Sequence, residues 1–593
     1  MEPARLGTAT RRPRRGTVER PIDMRPVRKV ALVVVAPLLL ALLTMTQPGP
    51  LPAPTLPPSF EEETAVALTI ELASLNPSRV PGSPEAADAV VWLRDKLALY
   101  GLAATEDRWE EDVPGVGRVE LVNLTAVVPG TLDETIVVVA HRDNNGRTAG
   151  ANDNASGTAA LVELARPYAT VGTTESARTP LHTLVFLSTD GGAYGSLGAA
   201  RFAAISPLAE RAVAVVSLDG LAGSTQPRIE LSGLDGRSPP PALVSTASRR
   251  MAAELGRDPR QPAALTQLVS LALPFGYGEQ APLLGAGEPA IRIGTAPDAG
   301  ARAGSDELEG LGRRRLGQLG RASETLLSSL DAAVEVPGST DGALFLGSRV
   351  VRGWALQLLL IAAVLPFGAA TLGLLSRCRL RRLPLSAAWR ALRLRAGVWL
   401  VLVALLGLAA VVGALPTEPR LPPPPDQPPV DSWPFGLAAV LVAAAVLVWL
   451  RVRTHLVPRV RATPEQELAA YAVAFVALLL VCALTALVSP YGLVFVLPSL
   501  YAWLWLPQLR RSPGWVTDVV FGLGLIGPVL SLVVLAEQLD LGIRTPVYAA
   551  SLATTGVIPW ASTLAFAAWG TIGTLVAAIA AGRYAPVAPS SGR

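Results

Sequence analysis

From Trp354 onward the sequence is a succession of apolar runs separated by short loops, several of them rich in arginine. Runs at about Trp354–Leu375, Val398–Leu415, Phe435–Leu450 and Leu468–Val488 reach or approach the roughly 20 residues a helix needs to cross a bilayer. Further runs are Leu493–Leu506, Val516–Leu535 and Trp560–Ala581, and Pro546–Ile558 fits an interfacial or re-entrant piece. This feature constrains the fold severely. Lipid offers no partner to backbone N–H and C=O groups, so a crossing segment must satisfy them within a helix or a closed barrel. Half of the 593 residues are hydrophobic and 17% are charged, an apolar excess that membrane spans explain and a soluble globule does not.

The charges then suggest an orientation. Arg377, Arg379, Arg381, Arg382, Arg390, Arg393 and Arg395 fill one loop, Arg451, Arg453, Arg459 and Arg461 another, Arg510-Arg511 a third, and Arg583 the last tail. The loops between them carry Glu418, Asp426, Asp431, Glu537 and Asp540 instead. By the positive-inside rule this alternation describes about eight spans with both termini cytoplasmic and residues 47–350 outside the cytoplasm. Residues 1–29 form an Arg-rich tail of the same sense. The run at 30–46 reads as a membrane anchor or a signal peptide, and 47–58 is a Pro-rich linker. Residues 336–353 link to the multi-span region 354–582, and 583–593 form a second cytoplasmic tail. The Pro-rich loop Pro422–Pro425 with Pro428-Pro429 reads as a stiff spacer. No span carries an obvious central acid or base of the kind proton-coupled transporters use. Basic stretches interleaved with aromatics are missing, which argues against nucleic acid as a partner. Cys378 and Cys482 lie beyond residue 350, so no disulfide framework holds the preceding region.

Residues 59–335 read as one α/β domain. Ser59-Phe-Glu-Glu62 has the spacing of a capping box opening a helix to about Ser74, and a second helix runs from about Pro84 to Tyr100. Strand-like runs occur at Val119–Val128, Thr135–Ala140, Leu181–Ser188, Ala212–Leu218 and Ala290–Ile293, with helical stretches around Thr158, Leu197, Ala242 and Leu308. This alternation implies a sandwich around a largely parallel sheet. His141-Arg-Asp143 closes one strand, and Gly150-Ala-Asn-Asp153-Asn-Ala-Ser-Gly157 opens the next helix. That edge is where ligands collect in open α/β sheets, and His with carboxylates there can form a metal site. Each piece also has a plainer reading, as a helix-capping turn and a satisfied polar His.

Taken together, His141-Arg-Asp143, Gly150–Gly157, the segment Leu184–Phe202 and Val213–Gly220 resemble the di-zinc exopeptidases of metallopeptidase family twenty-eight, over about Ser59–Asp331. The resemblance implies a zinc-exopeptidase-like fold and a zinc held by His141, Asp153 and Asp219, with Asp143 orienting the histidine. It also implies that the general-base Glu and a metal-binding Glu are replaced by Gly192 and Ala193. Aligning Asp306 with the Asp that follows a late ligand His places Arg302 where that His would stand. One zinc at most is therefore expected, and zinc remains the expected cofactor. Without that ion, Asp153 and Asp219 should face each other and one should have a raised pKa. Asp190 is the acid left near the missing pair, a substitute base or, more simply, a surface or capping residue.

The reading that follows is an integral membrane protein with an extracytoplasmic zinc-aminopeptidase-like domain that has become a binding or scaffolding unit for a peptide or protein ligand. The alternatives are an active aminopeptidase with an unusual one-metal site and the receptor domain of a transport-type membrane protein. A glutaminyl cyclase fits less well, since that relative's zinc depends on the Glu and His missing here. Restoring Glu at 192 and 193 and His at 302 is expected to rebuild the second metal site.

Overall fold

The computed structural model describes residues 22–170, 178–295, 306–334, 338–412, 461–510, 512–539 and 541–584, with a few isolated residues between 413 and 460. Arg302, most of the run Phe435–Leu450, most of the Pro-rich loop and the distal parts of both tails lie outside the described residues.

The domain is built on a seven-stranded sheet: β1 (Ala104–Val113), β2 (Gly117–Val128), β3 (Leu132–His141), β4 (His182–Thr189), β5 (Ala212–Asp219), β6 (Arg228–Glu230) and β7 (Ala290–Gly294). Their spatial order is β1-β2-β4-β3-β5-β7-β6. The four central strands β4, β3, β5 and β7 run parallel, while β1, β2 and β6 pair antiparallel at the flanks. The expected mixed α/β sheet with a parallel centre is what forms. β1 and β6 carry no apolar run. β1 reads Ala-Thr-Glu-Asp-Arg-Trp-Glu-Glu-Asp-Val and pairs only with β2, so cross-strand ion pairs such as Arg108–Glu120 at 2.6 Å take the place of burial on an edge strand.

Strand alternation sorts the core onto two faces. Ile136, Val138, Leu184, Phe186, Val216 and Ile291 pack under helices Glu62–Leu75, Gly157–Ala165, Pro241–Leu255 and Arg313–Asp331. Val137, Val139, Val185, Leu187 and Val215 form a smaller cluster with Phe202, Leu283 and Leu284 on the other face. The first domain helix does not start with a capping box. Its N-cap is Glu61 with no side-chain bond, and Ser59 Oγ and Phe60 N instead donate to Glu324 at 2.8 and 2.7 Å. A buried carboxylate on the last domain helix thus outcompetes the local cap and ties the two ends of the domain together.

Among the described residues, six helices are long and apolar enough to cross a membrane, and a seventh if one bent pair counts as a single span. They include Met24–Leu43, Gly353–Leu380, Leu385–Val411, Pro464–Val488 and Trp560–Ala580. The run expected at Val516–Leu535 is divided into Gly514–Leu523 and Ile526–Glu537, bent by 53°. The break is satisfied from inside: Ser499 Oγ donates to the Gly524 carbonyl at 2.6 Å, and Trp503 Nε1 to that of Phe521 at 3.0 Å. A hairpin of β8 (Ala343–Leu346) and β9 (Arg349–Arg352) leads directly into helix Gly353–Leu380. Thr46 adds to its outer strand, exchanging bonds of 3.1 and 2.8 Å with Val350.

The domain sits on these helices. Phe275 lies in one cluster with Leu535, Leu539, Tyr548 and Leu552, and Tyr277 Oη meets Tyr548 Oη at 3.0 Å.

Candidate metal centre

Three strand ends converge at one point of the sheet edge. β3 ends on His141, β4 on Thr189 and β5 on Asp219, with β3 between the other two. Asp153 comes from the turn Ala151–Ser156 that enters helix Gly157–Ala165; it is not in regular helix but has extended backbone angles. Asn154 locks that turn to the sheet, its amide donating to the carbonyls of His141 and Leu218 at 3.1 and 2.9 Å. Asp306 holds the other side, accepting from the amides of Asn152 and Asp153 at 2.7 and 2.8 Å. Its own ionisation is made harder by burial, which raises its pKa.

The side chains meet closely. His141 Nε2 is 3.3 Å from Asp153 Oδ1 and 3.8 Å from Asp219 Oδ1, and one ligand atom from each of the three lies within 4.8 Å of the others. Bonds of about 2.0–2.2 Å in a tetrahedral shell place ligand atoms roughly 3.3–3.6 Å apart, so this spacing suits zinc. Asp219 Oδ1 supplies a second sign, being buried with no hydrogen-bond partner. A buried acceptor left bare is costly unless a cation completes it. These three residues therefore fit a metal ion. On the other ring nitrogen, Nδ1 lies 3.1 Å from the Asp143 carbonyl and 3.4 Å from its carboxylate. A proton on Nδ1 would leave the Nε2 lone pair facing Asp153 and Asp219. Burial disfavours a charged imidazole here, but the carboxylates of Asp143, Asp153 and Asp219 outweigh it and raise the His141 pKa well above its usual value.

Asp143 does more than orient the ring. Its carboxylate also accepts from the backbone amides of Gly192 and Ala193 at 2.8 and 3.0 Å, drawing the loop after β4 over the histidine. The consequence at Gly192 is severe. A Cβ built there would lie 2.8 Å from His141 Cδ2, and closer still to its Cβ and Cγ. Glu at 192 cannot be introduced without moving His141, so that part of the triple restoration meets a steric obstacle. Asp190 is not a surface residue. It is buried, ion-paired to Arg142 Nη2 at 3.0 Å and bonded by the amides of Val122 and Gly191, with burial raising its pKa. His182 lies at the far end of β4 against Asp331, 3.6 Å away.

Three participants escaped the sequence reading. Arg79, fully buried, donates to the carbonyls of Asn76, Arg142, Ala149 and Gly150 and so pins the loop that carries Asp143; burial lowers its pKa to about 10. Glu279 lies buried beneath β4 and β5, taking a bond from Thr189 Oγ1 and one of 3.4 Å from Ser217 Oγ. Burial pushes its pKa up to about 7. Arg292 on β7 pairs with Asp219 Oδ2 at 2.7 Å. Burial alone would raise the Asp219 pKa, but Arg292 and His141 hold it below the usual carboxylate range. The expectation that facing acids would leave one of them raised thus runs the other way at Asp219. Of these three, Arg292 had a signal: an arginine inside a five-residue buried strand needs a buried anion.

With this geometry in view, residues 123–267 match the family model described as Peptidase family M28. The match lies wholly within the α/β domain and spans its central strands. No curated protein sequence matches the chain. Among solved structures, the chain is similar to a glutaminyl cyclase of Porphyromonas gingivalis, at 19% identity over 45% of this chain and 98% of that one, with a TM-score of 0.37. It is also similar to BSAP, a zinc aminopeptidase from Bacillus subtilis, at 14% identity over 45% and 94% of the two chains, TM-score 0.37. A third is an aminopeptidase from Aneurinibacillus sp. strain AM-1, at 13% identity over 47% and 96%, TM-score 0.35.

Proposed function

We propose that this is a multi-pass membrane protein whose M28 domain faces outside the cytoplasm, holds one zinc ion on His141, Asp153 and Asp219, and binds peptide or protein ligands without efficient hydrolysis. The observation that carries the loss of hydrolysis is Gly192. Its backbone packs on His141 at the position aligned with the family's base, so no side chain fits there. The neighbouring acids are committed elsewhere. Asp190 is tied to Arg142, Asp143 to two backbone amides and His141, and Glu279 to two hydroxyls beneath the sheet. Bound zinc would supply Lewis acidity to a carbonyl oxygen or a water. The chain's own contribution would be orientation through Asp143 and an open approach beside Asp153, the most exposed of the three ligands. Loss of a positioned base typically costs about 10²–10⁴ in rate. The arginine-bearing loops support the placement of both termini in the cytoplasm.

The test is zinc content and aminopeptidase activity of the full chain in detergent, with His141→Ala beside it. The reading expects up to one zinc per chain, lost in His141→Ala, and turnover on dipeptide substrates at or near background. Robust hydrolysis abolished by His141→Ala would replace it with the active one-metal aminopeptidase.

A further inference from the structure

We propose that Arg292 is a built-in counter-cation that sets the affinity of the His141–Asp153–Asp219 site, keeping zinc exchangeable; this rests on the single-zinc reading above. The geometry is specific. Parallel pairing of β5 with β7 puts Ser217 opposite Arg292 and Asp219 opposite Gly294, so the guanidinium lies one step from the ligand carboxylate on the same face. It binds Asp219 Oδ2 at 2.7 Å, while Oδ1 of the same carboxylate faces His141 and has no hydrogen bond. Both groups are buried, Asp219 at 7% exposure and Arg292 at 4%, so solvent screens the pair little.

The guanidinium is also walled in. Glu230 stands directly across β6–β7 from Arg292, with Nη2 4.0 Å from its carboxylate, and Glu230 is itself held by Arg228 at 2.6 Å. Gly278 also packs on Arg292: a Cβ there would come 3.0 Å from its Nη1 and 3.1 Å from its Cδ. Gly278 has φ +83°, so the backbone as well as the space favours glycine there.

The electrostatic consequence follows. Two carboxylates and a neutral imidazole would exactly offset a divalent ion in formal charge. A guanidinium fixed on one of those carboxylates uses part of that compensation and sets a positive charge beside the metal position in a buried place. It also draws electron density from Asp219, making it a weaker donor. Arginine cannot escape by losing its proton. A unit charge this close to a divalent ion changes binding by several powers of ten in a medium of intermediate dielectric constant, and relaxation and water trim that to about 100-fold.

The experiment uses the full chain in detergent micelles and measures zinc affinity by competition with a chromophoric chelator, for wild type, Arg292→Met, Glu230→Gln and His141→Ala. Arg292→Met is expected to bind zinc about 100-fold more tightly. Glu230→Gln, which leaves the guanidinium more fully to Asp219, is expected to bind it roughly 3–10-fold more weakly. Both effects should vanish on the His141→Ala background. Equal or weaker binding by a folded Arg292→Met, with binding still dependent on His141, overturns the role of Arg292 and leaves the metal site standing. Should Arg292→Met fail the folding check by near-ultraviolet circular dichroism, Glu230→Gln decides, and unchanged or tighter binding there overturns the proposal. No His141-dependent zinc in wild type or Arg292→Met overturns the single-zinc reading beneath it.

Discussion

Gly192→Ala is the smallest change that bears on the site. The added methyl would sit 2.8 Å from His141 Cδ2 and nearer to Cβ and Cγ, where ordinary carbon contacts begin at about 3.4 Å. At least ~0.6 Å must therefore be found at Cδ2 alone. It cannot come easily from the loop, because the amides of Gly192 and Ala193 are both fastened to Asp143. Nor can it come easily from β3, whose His141 carbonyl is held by Asn154 and Thr158 at 3.1 and 2.9 Å. The imidazole has to turn, and its Nε2 leaves the place where Asp153 and Asp219 face it. Overpacking of this kind costs about 1–3 kcal/mol, which for a domain of this size lowers the thermal midpoint by roughly 2–10 °C. The assay is paired: thermal unfolding of the full chain followed by a site-specific spectroscopic probe in the domain, and zinc affinity by chelator competition, with Gly49→Ala as a control where nothing lies within 4 Å. Zinc affinity should fall at least ~10-fold in Gly192→Ala alone. A variant with wild-type midpoint and affinity would refute the argument that Gly192 and His141 are packed against one another.

Glu279 makes the domain pH-sensitive in a definite sense. Its folded-state pKa of about 7 exceeds the ordinary 4.5, so the folded state holds the proton more tightly, and stability is lost as pH rises through that interval and levels off above it. Glu279→Gln should remove roughly 3 kcal/mol of that dependence, seen as thermal midpoints at pH 5 and pH 8 that converge relative to wild type; an unchanged difference counts against it. A reporter fused at Pro337 should read outside the cytoplasm and one after Arg583 inside, and the opposite result at Pro337 removes the proposed orientation. Met24–Leu43 should be retained in the mature chain, because Thr46 is bonded to β9 and the next residues dock on the domain through Leu51, which pairs with Thr246 at 2.9 Å and Arg250 at 2.7 Å. Intact-mass measurement checks this, and a new N-terminus between 44 and 58 would contradict it.

The parts of the fold that were legible in the sequence are those where burial dictates composition. β3, β4, β5 and β7 are apolar on both faces because helices cover both, and their runs stand out at once. β1 does not, since it is an edge strand whose faces are half in water and whose charges pair across to β2. The three residues that meet at the sheet edge were legible because a His at a strand end and an Asp in a Gly- and Asn-rich turn leave short-range marks. Their supports did not. Arg79 acts through four backbone carbonyls scattered from 76 to 150, and Glu279 reaches hydroxyls on two separate strands, contacts that no local spacing records. The capping box at Ser59 was misleading for the same reason in reverse: the motif is local, and a residue 265 positions away took the hydroxyl.

The segment from Phe275 to Glu279 sets a working distance. Tyr277 touches Tyr548 of the membrane-side helices, and Glu279, two residues on, touches the strands that carry the site. Two residues of extended chain span at most about 7 Å. The sheet edge is thus not at the end of a leash, free to sample the surrounding volume, despite the Pro-rich stretch at 47–58. It has a fixed height and a fixed bearing relative to the helices below. Any movement of the helix that carries Tyr548 is therefore passed along a very short path to the strands that end at His141 and Asp219.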